Sequence, residues 1–253
     1  MATRLRIPFR SGSARPSAES MTLGEHLAEL RRRVVICVVA FAVGATVAFI
    51  VYPHILHFLQ SPYCRVVGRQ RCHLFVTGPL DGLSLRIKLA TYGGLFLASP
   101  VILWELWRFI TPGLHRNEKR YAIPFVASSI VLFVFGAFLA FVSFPHALKF
   151  LQSIGGPSLE QIYDPNKYLG LIVALMAVFG LTFEFPVILV SLELVGVVTP
   201  RKLSSWRRWA IVLIVVFAAV ITPSGDPFSM LALAVPMYLF YEVSILIGKI
   251  LRR

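Results

Sequence analysis

The stretch WAIVLIVVFAAVITPSGDP, residues Trp209–Pro227, decides how this chain folds. Its apolar part, Trp209–Ile221, spans about 20 Å as a helix, whereas a bilayer's hydrocarbon core is roughly 30 Å thick. By length alone it fits a re-entrant or interfacial helix as well as a short crossing. TPSGDP at Thr222–Pro227 supplies the Pro and Gly of a tight turn, and a longer apolar run resumes at Ser229. Whether the short run crosses therefore sets the parity of the whole topology.

Working outward, the class is fixed by composition. A chain of 253 residues that is 57% hydrophobic cannot hide its apolar surface in one water-soluble core. Long apolar runs predict membrane-spanning helices near Val34–Tyr52, Leu89–Phe109, Tyr121–Phe144, Leu169–Leu194 and Ser229–Ile247. Pro100, Pro186 and Pro236 lie inside these runs and predict kinks.

The formal charge of +13 resolves the parity, because it is unevenly spread. Of 25 Lys and Arg residues, 18 lie in the N-terminal segment, in 108–120, in 201–208 and in the C-terminal tail. These are alternate connections, so the positive-inside rule puts both termini in the cytoplasm and requires an even number of crossings. The expectation is an all-α polytopic membrane protein of six transmembrane helices with the last two short. Membrane topology and anionic lipid absorb the positive charge, and nucleic acid is not called for as a partner. Residues 1–20, rich in Arg, Ser and Pro, read as a disordered basic tail, and 21–253 as one domain.

Cys64 and Cys72 stand eight apart in the first outer connection, SPYCRVVGRQRCHLF, where a disulfide is the default reading and a metal site with His73 a weak alternative. Cys37 reads as a small buried residue of the first span. No Gly-rich phosphate loop, GxSxG elbow or HExxH is present, so neither an enzyme, a cofactor nor a metal is expected.

The acids are few and therefore informative. Glu29, in EHLAELRRR, shares a helix face with Glu25, and the segment reads as an amphipathic interfacial helix. Glu118 precedes the third span. For both, a solvated acid beside a neighbouring Arg is the simplest reading of the residues alone. Glu184, in LTFEFPVILV, stands mid-span, where an ionisable group costs about 2.5–3.5 kcal/mol on insertion scales. With few evident partners in the chain, it is expected to be neutral or to face water in a concavity. Glu242 reads as the only other deeply placed acid, or simply as one near the cytoplasmic end of the last span. A proton-coupled secondary transporter with Glu184 as its coupling carboxylate is an alternative, although no internal repeat supports it.

HLAELRRR at His26–Arg33, SPVILWELWRFITPGLHRNEKR at Ser99–Arg120, FGLTFEFPV at Phe179–Val187 and ITPSGDPFSMLALAVPMYLFYE at Ile221–Glu242 resemble, in order and spacing, the segments of the TatC family. That resemblance implies the core subunit of a twin-arginine translocase in the bacterial plasma membrane. Such a subunit binds signal peptides bearing paired arginines at its cytoplasmic face. With several copies of single-span TatA and TatB partners, it exports folded proteins using the proton-motive force. The family's signal-binding positions fall on Glu29 and Glu118, with Arg31 orienting a carboxylate and Phe109 packing on the apolar part of the signal. Glu184, Asp226 and Met230 fall on partner-contact positions. Met230 stands where some members carry glutamine, and the paired cysteines belong only to some members.

Overall fold

A computed structural model describes residues 23–68, 72, 74–76, 78–110, 122–156, 163–194 and 196–251. Every regular element among them is helical: α1 (Leu23–Ile50), α2 (Tyr52–Val67), α3 (Asp81–Ile110), α4 (Ala122–Gly155), α5 (Pro165–Thr182), α6 (Phe185–Leu194), α7 (Pro200–Ser205), α8 (Arg207–Ile221) and α9 (Pro227–Leu251). Five segments are long and apolar enough to cross a membrane: Leu27–Ile50, Asp81–Phe109, Ile123–Gly155, Pro165–Leu194 and Pro227–Ile250. The α8 helix has 15 residues and falls below that length. The basic tail at 1–20 and Glu118 lie outside the described residues.

Helix directions follow from which residues meet. Along α1 and α3, Arg33 meets Glu105, Gly44 meets Gly94, and Arg86 donates to the Phe49 carbonyl, so the two run antiparallel. Their seam is close because it is made of small residues. A Cβ on Gly94 would stand 2.6 Å from the Ala45 backbone, and one on Gly44 would stand 2.7 Å from the Gly94 carbonyl oxygen. The α3–α4 pair (Trp107 with Ser129) and the α4–α5 pair (Phe144 with Tyr168, Gly136 with Phe179) are antiparallel too. By contrast α6 and α9 run parallel, with Phe183 against Phe240, Pro186 against Ser244 and Glu193 against Gly248. The start of α1 and the end of α9 consequently lie on the same side of the bundle.

Several sequence expectations change. The basic segment before the first span is not a separate interfacial helix, because α1 runs unbroken from Leu23 to Ile50. Nothing between Glu29 and Val39 is Gly or Pro, so no residue interrupts the hydrogen-bond ladder. The first outer connection is not simply a loop. Its first half is α2, which lies across the far ends of α4 and α5: Phe58 stacks on Phe141 at 4.4 Å, and the Tyr168 hydroxyl donates to the Leu59 carbonyl at 3.1 Å. Cys64, in α2, and Cys72 form a disulfide with Cα atoms 5.0 Å apart; His73 lies outside the described residues.

The fourth run is not one kinked helix but two, α5 and α6, divided at Phe183–Glu184. Pro186 explains the position of the break. Its ring disfavours helical backbone just before it, while within the first turn of α6 its missing N–H is harmless. The chain bridges the break tightly, with the Phe183 N–H on the Phe179 carbonyl at 3.0 Å and the Glu184 N–H on the Leu181 carbonyl at 3.2 Å. Pro100 and Pro236 instead lie within the continuous α3 and α9. Finally, only one of the last two long helices is short, since α9 has 25 residues. Asp226 starts α9 by accepting the Ser229 N–H at 2.7 Å, and apolar residues continue beyond Glu242.

Candidate functional site

The charged chemistry inside the bundle gathers at one end of the α1–α3 seam. Arg33, one helical turn after Glu29, faces α3 and is joined to two carboxylates. Its Nε and Nη2 both donate to Glu29 Oε1, the former at 3.2 Å, and its Nη1 donates to Glu105 Oε2 at 3.0 Å. The side chains of Arg33 and Glu105 are only 12% and 8% exposed, and that of Glu29 is 25% exposed. These bonds are charge-assisted, and the burial makes each partner costly to strand. Beside them lies a cavity of about 320 Å³ between α1 and α3, lined by Arg33, Cys37, Phe41, Glu105, Leu106 and Phe109. Charge and apolar surface are thus adjacent, which suits a ligand carrying a cation next to hydrophobic side chains.

Of the residues singled out from the sequence, Glu29 meets Arg33 here, and Phe109 lines the same cavity as Arg33. Arg31 is exposed, and the guanidinium that meets Glu29 is that of Arg33. The i,i+4 spacing of Glu29 and Arg33 was visible in the sequence, but the pairing with Glu105, 72 residues away, was not.

A second polar cluster sits deeper, where α5 breaks. Glu184 is 8% exposed and does not face water. It lies within hydrogen-bonding reach of Ser129 on α4, whose Oγ accepts the Trp107 indole N–H at 2.8 Å. A hydroxyl has one proton, so Trp107 supplies the bond that Ser129 accepts and leaves that proton for the carboxyl group. Glu184 Oε1 has no hydrogen-bond partner among the described residues. Trp107 stacks on Phe125 at 5.3 Å and packs with Val126 and Val187, which closes the cluster with apolar side chains.

The remaining acids sort by burial. Glu242 is not the only other deep one: it pairs with Arg207 at 2.7 Å and accepts from the Tyr238 hydroxyl at 3.2 Å, near the exposed start of α8. Glu105 and Glu193 are deeper, the latter 1% exposed and packed where Gly248 leaves room. Asp226 is also buried, with Ser224 Oγ donating to its second oxygen at 2.5 Å, while Met230 is half-buried one turn on.

The fold and these clusters define a multi-pass helical membrane protein with a charged cluster at one end of its α1–α3 seam and buried acids, Glu184 among them, within the bundle. The chain belongs to the TatC family of Sec-independent protein translocase proteins, which matches residues 25–236. A Sec-independent protein translocase protein TatC of Frankia casuarinae is 45% identical over 238 residues, covering 90% of this chain and 65% of the relative's own length. That of Aquifex aeolicus is 38% identical over 236 residues, covering 92% of this chain and 97% of the relative. A crystal structure of the twin arginine translocase receptor TatC superposes with a TM-score of 0.74 at 38% identity, covering 90% of this chain and all of that one. The family is one of transport proteins rather than enzymes, and it takes precedence over the ion-coupled transporter alternative.

Proposed function

We propose that this protein is the signal-reading subunit of a twin-arginine translocase in the bacterial plasma membrane, and that it binds paired arginines through Glu29 and Glu118. The observation that carries the reading is the placement of Glu29: a partly exposed carboxylate at the end of the α1–α3 seam, beside an apolar cavity that reaches Phe109. A guanidinium presents a planar fork of donors that a carboxylate accepts through two oxygens, so two arginines are best met by two separate acids. Phe109 then receives the apolar residues that follow them.

On this reading the α1 start and the α9 end face the cytoplasm, and α8 completes six crossings. The alternation of helix directions and the clustering of basic residues on alternate connections support that topology. Export is driven by the proton-motive force together with single-span TatA and TatB subunits, in a complex of several copies. Glu184, Asp226 just before α9, and Met230 within α9 contact those partners. The Glu184 oxygen left without a partner supports its part in this: it is buried, so a polar side chain on a partner helix supplies the missing donor only as the helices around it part.

The test is binding of a fluorescent twin-arginine signal peptide to the purified protein in nanodiscs. Losing one charge-assisted contact weakens binding by about 1.5–3 kcal/mol, roughly ten- to a hundred-fold, so Glu29→Ala and Glu118→Ala each lower affinity by that factor. Unchanged affinity in both variants would place recognition elsewhere.

A further inference from the structure

Arg33 does not grip Glu29 the way a guanidinium grips a carboxylate best. In the favoured arrangement two N–H groups run parallel to the two carboxylate oxygens. Here both N–H groups converge on a single oxygen, Oε1, while the third donor reaches sideways to Glu105 Oε2 on another helix. One cation is thereby stretched over two anions and fits neither through both oxygens. The two anions are also unequal. Glu105 is the more buried, so water competes for it less, whereas Glu29 is the more exposed and stands nearer to anything arriving from outside.

We propose that Arg33 is a built-in competitor for the ligand arginine: it occupies Glu29 in the unliganded protein and withdraws onto Glu105 when an incoming guanidinium takes Glu29. This rests on the reading of Glu29 as a signal-peptide ligand and adds to it two residues, Arg33 and Glu105, that set affinity without touching the signal. Both are positioning residues. Withdrawal keeps Glu105 neutralised in the liganded state, so no buried carboxylate is stranded. It also raises selectivity: a ligand must outcompete an arginine already in place, which a lysine ammonium, lacking the fork, does poorly. Where a binding-competent form is only partly populated, apparent affinity falls by that fraction. Competition from one partly buried pair therefore amounts to roughly a two- to fivefold effect.

Two variants that leave the net charge unchanged test this, so long-range attraction for a cationic peptide is the same in both. Arg33→Lys supplies one compact cation that settles on the more buried Glu105 and releases Glu29. Arg33→Gln with Glu105→Gln removes the cation and its buried partner together, leaving two amides that bond to each other. With the full chain in nanodiscs and a fluorescent signal peptide, both variants should bind a twin-arginine peptide about two- to fivefold more tightly than the parent protein. The preference for arginine over lysine at the paired positions should narrow. A purely structural role for Arg33 predicts weaker binding in both, and equal or weaker binding in both overturns the proposal. Glu29→Gln separates the two levels. If it abolishes binding while the Arg33 variants show no gain, Glu29 remains the ligand site and the competitor idea fails. If it binds like the parent protein, the underlying reading fails as well.

Discussion

Two buried acids, Glu105 and Glu184, are equally hidden from solvent yet are held by opposite means. Glu105 is met by the Arg33 guanidinium at 3.0 Å, and Arg33 is shared with Glu29. Glu184 has no ion pair among the described residues and is met by Ser129, itself fixed by Trp107. The first arrangement joins an acid to a cation that a second acid shares, and the second rests on a neutral hydroxyl. Burial alone therefore does not say what an intramembrane carboxyl group is for, whereas the chemistry of its partner does.

The comparison is broken most severely by removing the cation. Arg33→Ala leaves Glu105 buried with no counter-charge, and breaking such a pair costs about 3–5 kcal/mol. The expected result is a large drop in the SDS concentration at which the purified protein unfolds, much of it restored by adding Glu105→Gln. If Arg33→Ala is as stable as the parent protein, Glu105 is not held by that charge.

A smaller effect is expected at the second cluster. Trp107→Phe keeps the stacking on Phe125 but deletes the N–H given to Ser129, and hydrogen bonds between membrane helices contribute about 0.6 kcal/mol on average. Its unfolding midpoint should fall slightly, with signal-peptide affinity unchanged. A loss as large as that of Arg33→Ala would mean that the two clusters are held alike.

The smallest effect sharpens the contrast. Because Glu184 pairs with no cation among the described residues, Glu184→Gln should change the stability of the isolated protein by less than about 1 kcal/mol, and Glu184→Leu should leave it equal or higher, since the unsatisfied oxygen disappears. Partner crosslinking from this position should survive in the Gln variant and fall in the Leu variant. Undiminished crosslinking and export with Leu would remove Glu184 from the partner interface.

Much of the fold could be read from the chain, for identifiable reasons. Apolar runs of bilayer length announce spanning helices because hydrocarbon leaves the backbone no partner but itself, and Lys and Arg on alternate connections order them. TPSGDP announces a turn because Pro and Gly fit few other conformations. Less legible were α2, an amphipathic helix of 16 residues that lies across the ends of other helices, and the break before Pro186. A proline marks a kink in sequence, but whether the helix bends or stops depends on what packs against it, as the unbroken α3 and α9 illustrate.

By itself the sequence determined the class, the number of long apolar helices and the costly placement of Glu184, since each depends on composition and local pattern, whereas the depth of Glu105 and Glu193 went unread. It also marked Glu29, through the resemblance of His26–Arg33 to a family segment, whereas the residues alone suggested only a solvated acid. Only the tertiary structure decided that Arg33 is shared with Glu105, that Trp107 and Ser129 serve Glu184, and that Gly44 and Gly94 bring α1 and α3 close enough for the shared cation. These pairings join residues far apart in the chain. What fixes them is which helix faces meet, and that follows from close packing over the whole bundle, not from any one segment.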